Sequence, residues 1–122
     1  MKKKETSEKS QQSNLNNFEA QFKRSTIPIL VLELLSERDM YAYEMIQETL
    51  TRSNGKYRMP LLYTVLNKMQ EQGYVVESRK EISEDNRVRN YYAITKEGRM
   101  YLSELKKLYR ILTESVMRIC YK

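Results

Sequence analysis

Polar side chains at helical spacing are the feature of this sequence best suited to chemistry. The stretch Met59–Glu71 (MPLLYTVLNKMQE) places Tyr63, Thr64, Asn67 and Lys68 on one side of a helix. Asn67 can make two hydrogen bonds to an adenine edge, Thr64 can touch a thymine methyl, and Lys68 can reach guanine or a phosphate. Tyr63, near the start, can hold a phosphate. Such a face could enter a major groove, although an ordinary half-buried helix fits the same pattern.

The opposite side of this stretch is apolar and predicts the helix that positions these groups. Its apolar residues recur at i, i+3, i+4 and i+7, which is one face of a 3.6-residue helix. Pro60 is tolerated in a first helical turn because its missing N–H would be unpaired there. Gly73 is a natural terminator in the left-handed conformation. The inward-facing residues are Leu62, Val65, Leu66 and Met69.

After this helix the apolar period changes from 3.6 to two, which predicts a β-hairpin. Tyr74–Ile82 and Arg87–Ile94 read as strands around the polar turn at residues 83–86. On the second strand one face carries two cations and a tyrosine that could also contact DNA, while the other face is apolar. Cations on a free strand face also fit a solvated edge that deters aggregation. The free-face residues are Arg87, Arg89 and Tyr91.

The first half of the chain predicts a tail and a buried helix. Residues 1–17 hold little that could be buried, so we expect a disordered tail. Phe18–Ser36 includes TIPILVLELL, which is apolar on nearly every side and should contact a second subunit as well as its own core. Either Thr26 caps a helix with Pro28 in its first turn, or a longer helix from about Asn16 kinks at Pro28; we favour a kinked or two-piece helix. The interface residues expected here are Ile29 and Leu30.

A second helix is predicted from Met40 to about Arg52, with Asp39 as its N-cap. The sequence Ser53-Asn54-Gly55 ends it with a turn. Three helices with a short connection before the third are a helix-turn-helix arrangement, and a hairpin directly after it is a wing. We therefore expect a mainly α fold with a small β-hairpin (α+β), a winged helix-turn-helix over residues 18–95.

The last helix is predicted from Thr95, its cap, to about Cys120, within a C-terminal segment 96–122. Its apolar stripe keeps heptad spacing for about three heptads. So small a domain cannot cover that stripe, so dimerisation through this helix is favoured over packing on its own domain. Tyr101 and Tyr109, with Met100 and Met117, form a candidate effector pocket or plain dimer core. The predicted interface residues are Tyr101, Leu105, Leu108, Leu112 and Ile119.

Composition limits the classes of function. The 122 residues carry a net charge of +6, mostly in the second half, which suits a polyanion partner. There is no histidine and only one cysteine, Cys120, so no nucleophile–base pair or Cys-rich zinc site can be assembled. No apolar run is long enough to span a membrane. We expect a cytoplasmic protein that is not an enzyme and needs no metal or other cofactor.

Several separated motifs resemble one family, the PadR family of bacterial transcriptional regulators. Tyr41–Ile46 is similar to its GYEI-type second helix, with alanine in the place of the usual glycine. Leu62–Met69 resembles its recognition helix, TLYPALRRLE, and residues 73–75 its exit into the wing. Asn86–Thr95, followed by Glu97-Gly98, resembles GRPRKYYRLT. The order and spacing of these matches carry the resemblance.

The resemblance implies a winged helix-turn-helix with a C-terminal dimerisation helix. It also implies ligand-responsive repression, for which we expect a small apolar or aromatic effector. Two recognition helices across the two-fold axis of a homodimer would read an inverted repeat in double-stranded DNA. Leu61 stands where the family usually has threonine, and Arg58 where it often has a serine cap. These departures put the family's base and phosphate contacts at that end of the helix in question. Leu61 and the uneven distribution of charge keep one alternative open, a winged-helix adaptor for protein interactions that has lost specific DNA binding.

Overall fold

Residues 2–121 are described by a computed structural model, which folds into helices and one antiparallel sheet. Met1 of the expected tail and Lys122 of the expected C-terminal segment lie outside the described residues. No helix in the described part of the chain is long and apolar enough to cross a membrane. The elements are α1 (Lys2–Glu37), β1 (Met40–Tyr41), α2 (Ala42–Arg52), α3 (Leu62–Glu71), β2 (Val75–Ile82), β3 (Val88–Ile94) and α4 (Lys96–Cys120).

The first helix is longer and less interrupted than the sequence suggested. Residues 2–17 belong to α1 instead of forming a disordered tail, because Lys, Glu and Gln favour a helix even where nothing is buried. Pro28 lies inside α1, and Thr26 is an interior residue that does not cap a separate helix. The helix continues past Pro28 because the following turns, including Val31 and Leu35, are buried in the core and offset the cost of the proline.

The sheet has three strands in the order β1-β3-β2, one more than the predicted hairpin. The additional strand is only two residues long, and Met40 and Tyr41 pair with Tyr92 and Tyr91. The predicted hairpin of β2 and β3 is present, with a register irregularity between Glu77 and Arg79. Pairing with β3 therefore takes Met40 out of the predicted second helix.

The second helix begins at Ala42, two residues later than predicted, and Asp39 is not its cap. The backbone N–H of Tyr41 donates to the Glu44 carboxylate at 3.3 Å. The Asp39 carboxylate instead lies 3.6 Å from the guanidinium of Arg79 on β2. This side chain therefore links the α1–α2 connection to the sheet.

The helix with the polar outer face, α3, begins at Leu62 and not at Met59. Pro60 consequently precedes the helix, and Met59 is buried, with the Thr49 hydroxyl 3.7 Å from its sulfur. Burial of Met59 holds the preceding loop in a non-helical path. At the other end Gly73 has φ +82°, which confirms the predicted left-handed termination.

The core lies between α1, α2, α3 and the sheet, and the start of α4 closes it. The Thr95 hydroxyl accepts from the Gly98 N–H at 3.0 Å, which confirms the predicted cap of α4. Helix α4 runs antiparallel to α1, since Arg99 lies near Ser36 and Lys106 near Glu33. The largest fully buried side chains are Val31, Leu32, Leu35, Met40, Met45, Leu62, Leu66 and Val75.

Candidate nucleic-acid interface

Helix α3 presents its polar side chains to solvent and its apolar ones to the core. Tyr63, Thr64, Asn67 and Lys68 are all exposed. The inward residues predicted from the period of 3.6 are buried or half-buried. The helix can therefore offer an amide, a hydroxyl and an ammonium group together, the groups that hydrogen-bond to base edges and phosphates.

A groove of about 470 Å³ lies beside this face and brings the wing to it. Tyr63 of α3 and the wing residues Arg87 and Arg89 share its lining. Tyr43, at the first turn of α2, also lines the groove and is exposed, although residue spacing alone did not single it out. The motif Tyr41–Ile46 contains Tyr43 and could have identified it from the sequence.

The two predicted wing arginines have different surroundings. The Arg87 side chain is 84% exposed and lies 3.3 Å from the Asp85 carboxylate at the wing tip. The Ser83 hydroxyl donates to the same carboxylate and lowers the pKa of Asp85. Arg89 is half-buried, with its guanidinium 4.8 Å from the centre of the Tyr41 ring. Arg87 is therefore exposed to solvent with one carboxylate beside it, whereas Arg89 is anchored to β1.

Tyr91 does not lie on a free face as the alternation predicted, since it is only 9% exposed. Its ring meets Tyr41 edge-on at 5.3 Å, and the Arg79 guanidinium lies 3.9 Å above it. Burial, together with a hydrogen bond to Glu81, raises the pKa of the Tyr91 hydroxyl. The Tyr41 ring and the Arg79 guanidinium cover Tyr91, so it holds the base of the wing and is not placed to contact a ligand.

Arg79 connects the base of the wing to its surroundings. Its guanidinium donates to the Glu81 carboxylate at 2.9 Å and lies 3.6 Å from Asp39. This hydrogen bond lowers the pKa of Glu81 and raises that of Arg79. Sequence reasoning did not identify Arg79, because its partners come from three different parts of the chain.

Asn90 lies on the inner side of the wing and lines the same groove. Its side-chain oxygen is buried and has no hydrogen-bond partner among the described residues. A buried acceptor without a donor is costly, so a donor that entered the groove would be favoured there. Strand β1 reaches only Tyr91 and Tyr92, so the edge of β3 at residues 88–90 borders the groove.

The residues expected at a subunit interface form an open apolar face. On α4, Leu112 is 55% and Ile119 is 79% exposed, and Leu108 and Tyr101 are also exposed. Leu105 is half-buried against the core. Ile29 and Leu30 of α1 are half-buried as well. The second half of the predicted α4 stripe, from Leu108 to Ile119, is therefore exposed in the described part of the chain.

The two tyrosines of the candidate effector pocket are separated within the protomer. Tyr101 stacks on Tyr74, with ring centroids 4.4 Å apart and planes 13° from parallel. Tyr109 instead borders a cavity of about 380 Å³ between α1, the end of α2 and α4. Met100 and Met117 are exposed and do not line that cavity.

Comparisons with known proteins agree with this architecture. The sequence profile of the transcriptional regulator PadR-like family matches residues 31–104. An uncharacterised protein of Lysinibacillus sphaericus is 33% identical over 86 residues, which cover 69% of this chain and 78% of that protein. The structure of a transcriptional regulator from Clostridium thermocellum has a TM-score of 0.68 at 27% identity, covering 81% of this chain and 93% of the other.

One similar structure contains DNA. Bacillus subtilis PadR, solved in complex with operator DNA, shares the fold with a TM-score of 0.58 at 18% identity. The match covers 66% of this chain and 47% of that protein. The family profile spans more than half of the chain, and its residues include α3 and the wing. The chain therefore belongs to the PadR-like family of transcriptional regulators.

Proposed function

We propose that this protein is a sequence-specific DNA-binding repressor that acts as a homodimer on an inverted-repeat operator and responds to a small apolar or aromatic effector. The observation that carries the proposal is the exposed polar face of α3 beside the groove lined by the wing. Family membership supports the same conclusion, as does the operator complex of the B. subtilis protein with this fold.

Different residues would contact the bases and the backbone of the DNA. Asn67 and Thr64 face outward on α3, where they can address base edges in a major groove. Tyr43 and Tyr63 flank the groove and can donate their hydroxyls to phosphates. Arg87, at the wing tip, can follow the backbone or enter a narrow minor groove.

The homodimer is supported by the open apolar face of α4. Leu112 is 55% exposed, so burying the remainder would gain about half of the ~1.5–3 kcal/mol that full burial of a leucine contributes. A two-fold axis beside α4 presents two copies of α3 to DNA, and half-sites about one helical turn apart would match them. Tyr101 and Leu105 begin this face, and Ile119 ends it.

Measuring DNA affinity against salt concentration on two duplexes tests which residues contact bases and which contact the backbone. The preferred site is first selected from random duplexes, and affinity is then measured by fluorescence anisotropy from about 50 to 200 mM salt. Asn67→Ala should cost about 1–3 kcal/mol on the preferred site and little on random DNA. Arg87→Ala should weaken binding to both duplexes and flatten the salt slope by about one unit. Arg118→Ala, the same charge change on α4, is the matched control.

The double variant Arg87→Ala/Arg89→Ala should flatten the slope by up to about two units. Because Arg89 also packs on Tyr41, its thermal stability must be compared with that of the single variant. Unchanged affinity in the arginine variants, or an Asn67 effect equal on both duplexes, contradicts the proposal.

Leu61 favours a second candidate function, an adaptor for protein interactions that lacks specific DNA binding. It is 61% exposed at the very start of α3, where an apolar side chain contributes nothing to phosphate binding. Retention on heparin separates the two candidates. A DNA-binding protein elutes late and with a steep dependence on salt, whereas the adaptor would elute early.

A further inference from the structure

Leu61 is an exposed aliphatic residue held in a fixed position at the start of α3. Met59, two residues before it, and Leu62, directly after it, are only 3% and 1% exposed, whereas Leu61 is 61% exposed. The Leu61 carbonyl accepts from the Val65 N–H at 3.2 Å, and Leu61 is the N-cap residue of the helix. Burial of the side chains before and after it therefore fixes where the Leu61 side chain leaves the surface.

Leu61 shares one side of α3 with residues of its polar outer face. Thr64 and Lys68 follow it at i+3 and i+7, which is one side of a 3.6-residue helix, and both are exposed. The exposed cation Arg58 precedes it by three residues. The aliphatic side chain therefore lies between two cations and next to a hydroxyl group, on a surface that suits a polyanion.

An aliphatic side chain in these surroundings suits DNA better than a protein partner. Protein interaction sites are marked by contiguous apolar patches, whereas isolated apolar residues on a surface are ordinary. In the major groove, by contrast, one aliphatic side chain can be matched by one group on one base. The first residues of a recognition helix are those that contact base edges in helix-turn-helix proteins. Leu61 occupies that end of α3.

The groups on the major-groove edges decide which base suits Leu61. Adenine, guanine and cytosine present hydrogen-bonding groups there, and an aliphatic side chain would cover these groups without replacing their bonds to water. Thymine also presents its 5-methyl group, which an aliphatic side chain can bury. Burial of one methyl group should raise affinity by about 4-fold.

We propose that Leu61 is a specificity-determining residue that contacts the 5-methyl group of one thymine in each operator half-site. The inference deepens the proposed function, since it rests on a regulator that reads DNA with α3. It assigns the exposed side chain of Leu61 to base recognition and not to a protein partner.

Removing single methyl groups from the DNA tests this contact on the full-length protein. In the preferred site selected from random duplexes, symmetry-related thymines are replaced in pairs by deoxyuridine, which lacks only the methyl group. At one such pair, fluorescence anisotropy should show wild-type binding weakened by about 10- to 20-fold, which is about 4-fold for each half-site. Leu61→Ala should bind the unmodified duplex more weakly and be insensitive to deoxyuridine at that pair. Ile82→Ala, which truncates an exposed aliphatic side chain of the wing, is the control and should keep the sensitivity.

Returning the methyl group on a different base provides a second test. Replacing the identified T·A pair by C·G should weaken wild-type binding, and methylation of that cytosine at C5 should restore about 4-fold for each half-site. Methylation should have no effect on Leu61→Ala. Thr64 also carries a methyl group on this side of α3, so Thr64→Ser should leave the deoxyuridine effect at this pair in place.

The contrary outcomes separate this inference from the function on which it rests. Deoxyuridine effects that are all unchanged in Leu61→Ala overturn the inference, as does a selected site at which no thymine methyl group matters. An effect that disappears in Thr64→Ser but persists in Leu61→Ala overturns it as well, because the contact then belongs to Thr64. In these cases the protein still selects a preferred site, so the proposed operator recognition stands. Failure to select any site contradicts both.

Discussion

The winged helix and the two helices that extend from it, α1 and α4, differ in how far their apolar side chains are buried. In the winged helix, Leu32, Met45 and Leu66 are fully buried by neighbours from the same chain. Along the second half of α4, Leu112 and Ile119 remain exposed, and α1 exposes Phe18 and Leu15 in its first half. The winged helix thus closes its own core, whereas the extensions carry apolar surface that the described part of the chain leaves exposed.

The same comparison separates the two kinds of partner. The exposed face of α3 is polar and lies beside arginines of the wing, so it suits a polyanion. The exposed face of α4 is apolar at heptad spacing, so it suits a second helix of the same kind. Because the two faces belong to different helices, residues on one face can be substituted without disturbing the other helix.

The largest expected effect comes from charging the open face. Leu108→Glu/Leu112→Glu should convert the proposed dimer to a folded monomer, weakening association by more than about 100-fold, since both leucines would lose their burial against the partner in each subunit. Sedimentation velocity measures the association, and circular dichroism checks the fold. Lys107→Glu, on the polar side of α4, is the control and should remain dimeric. A double variant that still sediments as a tight dimer would show that the interface lies elsewhere.

Truncating the same side chain in both regions sharpens the comparison. Leu66→Ala, in the closed core, should lower the free energy of unfolding by about 2–5 kcal/mol at every protein concentration. Leu112→Ala should instead have an effect that depends on protein concentration, because it acts on association. Denaturant titrations at several concentrations distinguish the two cases. Identical behaviour of the two variants would mean that the α4 face is covered within its own protomer.

Gly98 lies where the two regions meet, and a side chain there should weaken the join. A Cβ at this position would collide with the Tyr74 carbonyl oxygen and lie 2.8 Å from a side-chain carbon of Ile94. Gly98→Ala should therefore lower the free energy of unfolding by about 1–3 kcal/mol. Ser103→Ala, on the exposed side of the same helix, is the control. Thermal unfolding of both variants measures the difference, and an unchanged Gly98→Ala midpoint would show that α4 can shift freely at its start.

The smallest expected effect concerns the ion pair between α1 and α2. The hydrogen bond from Arg52 lowers the pKa of Glu37 below its ordinary value of 4.5. A lowered pKa in the folded state stabilises the protein above that ordinary value, and the contribution is lost as pH falls through the folded pKa. Both side chains are close to half exposed, so the effect should be slight.

Glu37→Gln should accordingly melt slightly below the wild type at neutral pH, and this difference should shrink as the pH falls below 4.5. The pair of Glu104 with Lys107, whose atoms lie 3.4 Å apart, provides the control, Glu104→Gln, which should melt with the wild type at neutral pH. A Glu37→Gln difference that grew on acidification would contradict the assigned pKa direction.

The local sequence pattern was sufficient to predict the elements that position the candidate site. The period of 3.6 in α3, the left-handed Gly73, the hairpin of β2 and β3 and the Thr95 cap were all predicted correctly. Each depends on residues only a few positions apart, which is why the sequence alone suffices. The exposure of Thr64, Asn67 and Lys68 follows from the same spacing.

Features that depend on distant residues were decided by tertiary structure. Strand β1 exists because Met40 and Tyr41 find a free edge of β3 about half the chain away, and no local pattern encodes that edge. The same pairing buries Tyr91 and places Tyr41 under Arg89, which leaves Arg87 as the more exposed of the two predicted wing arginines. The approach of Tyr57 to Thr26 likewise requires α1 and the loop before α3 to be packed together. Sequence by itself thus determined which residues share a face, and packing decided which of those faces stay open.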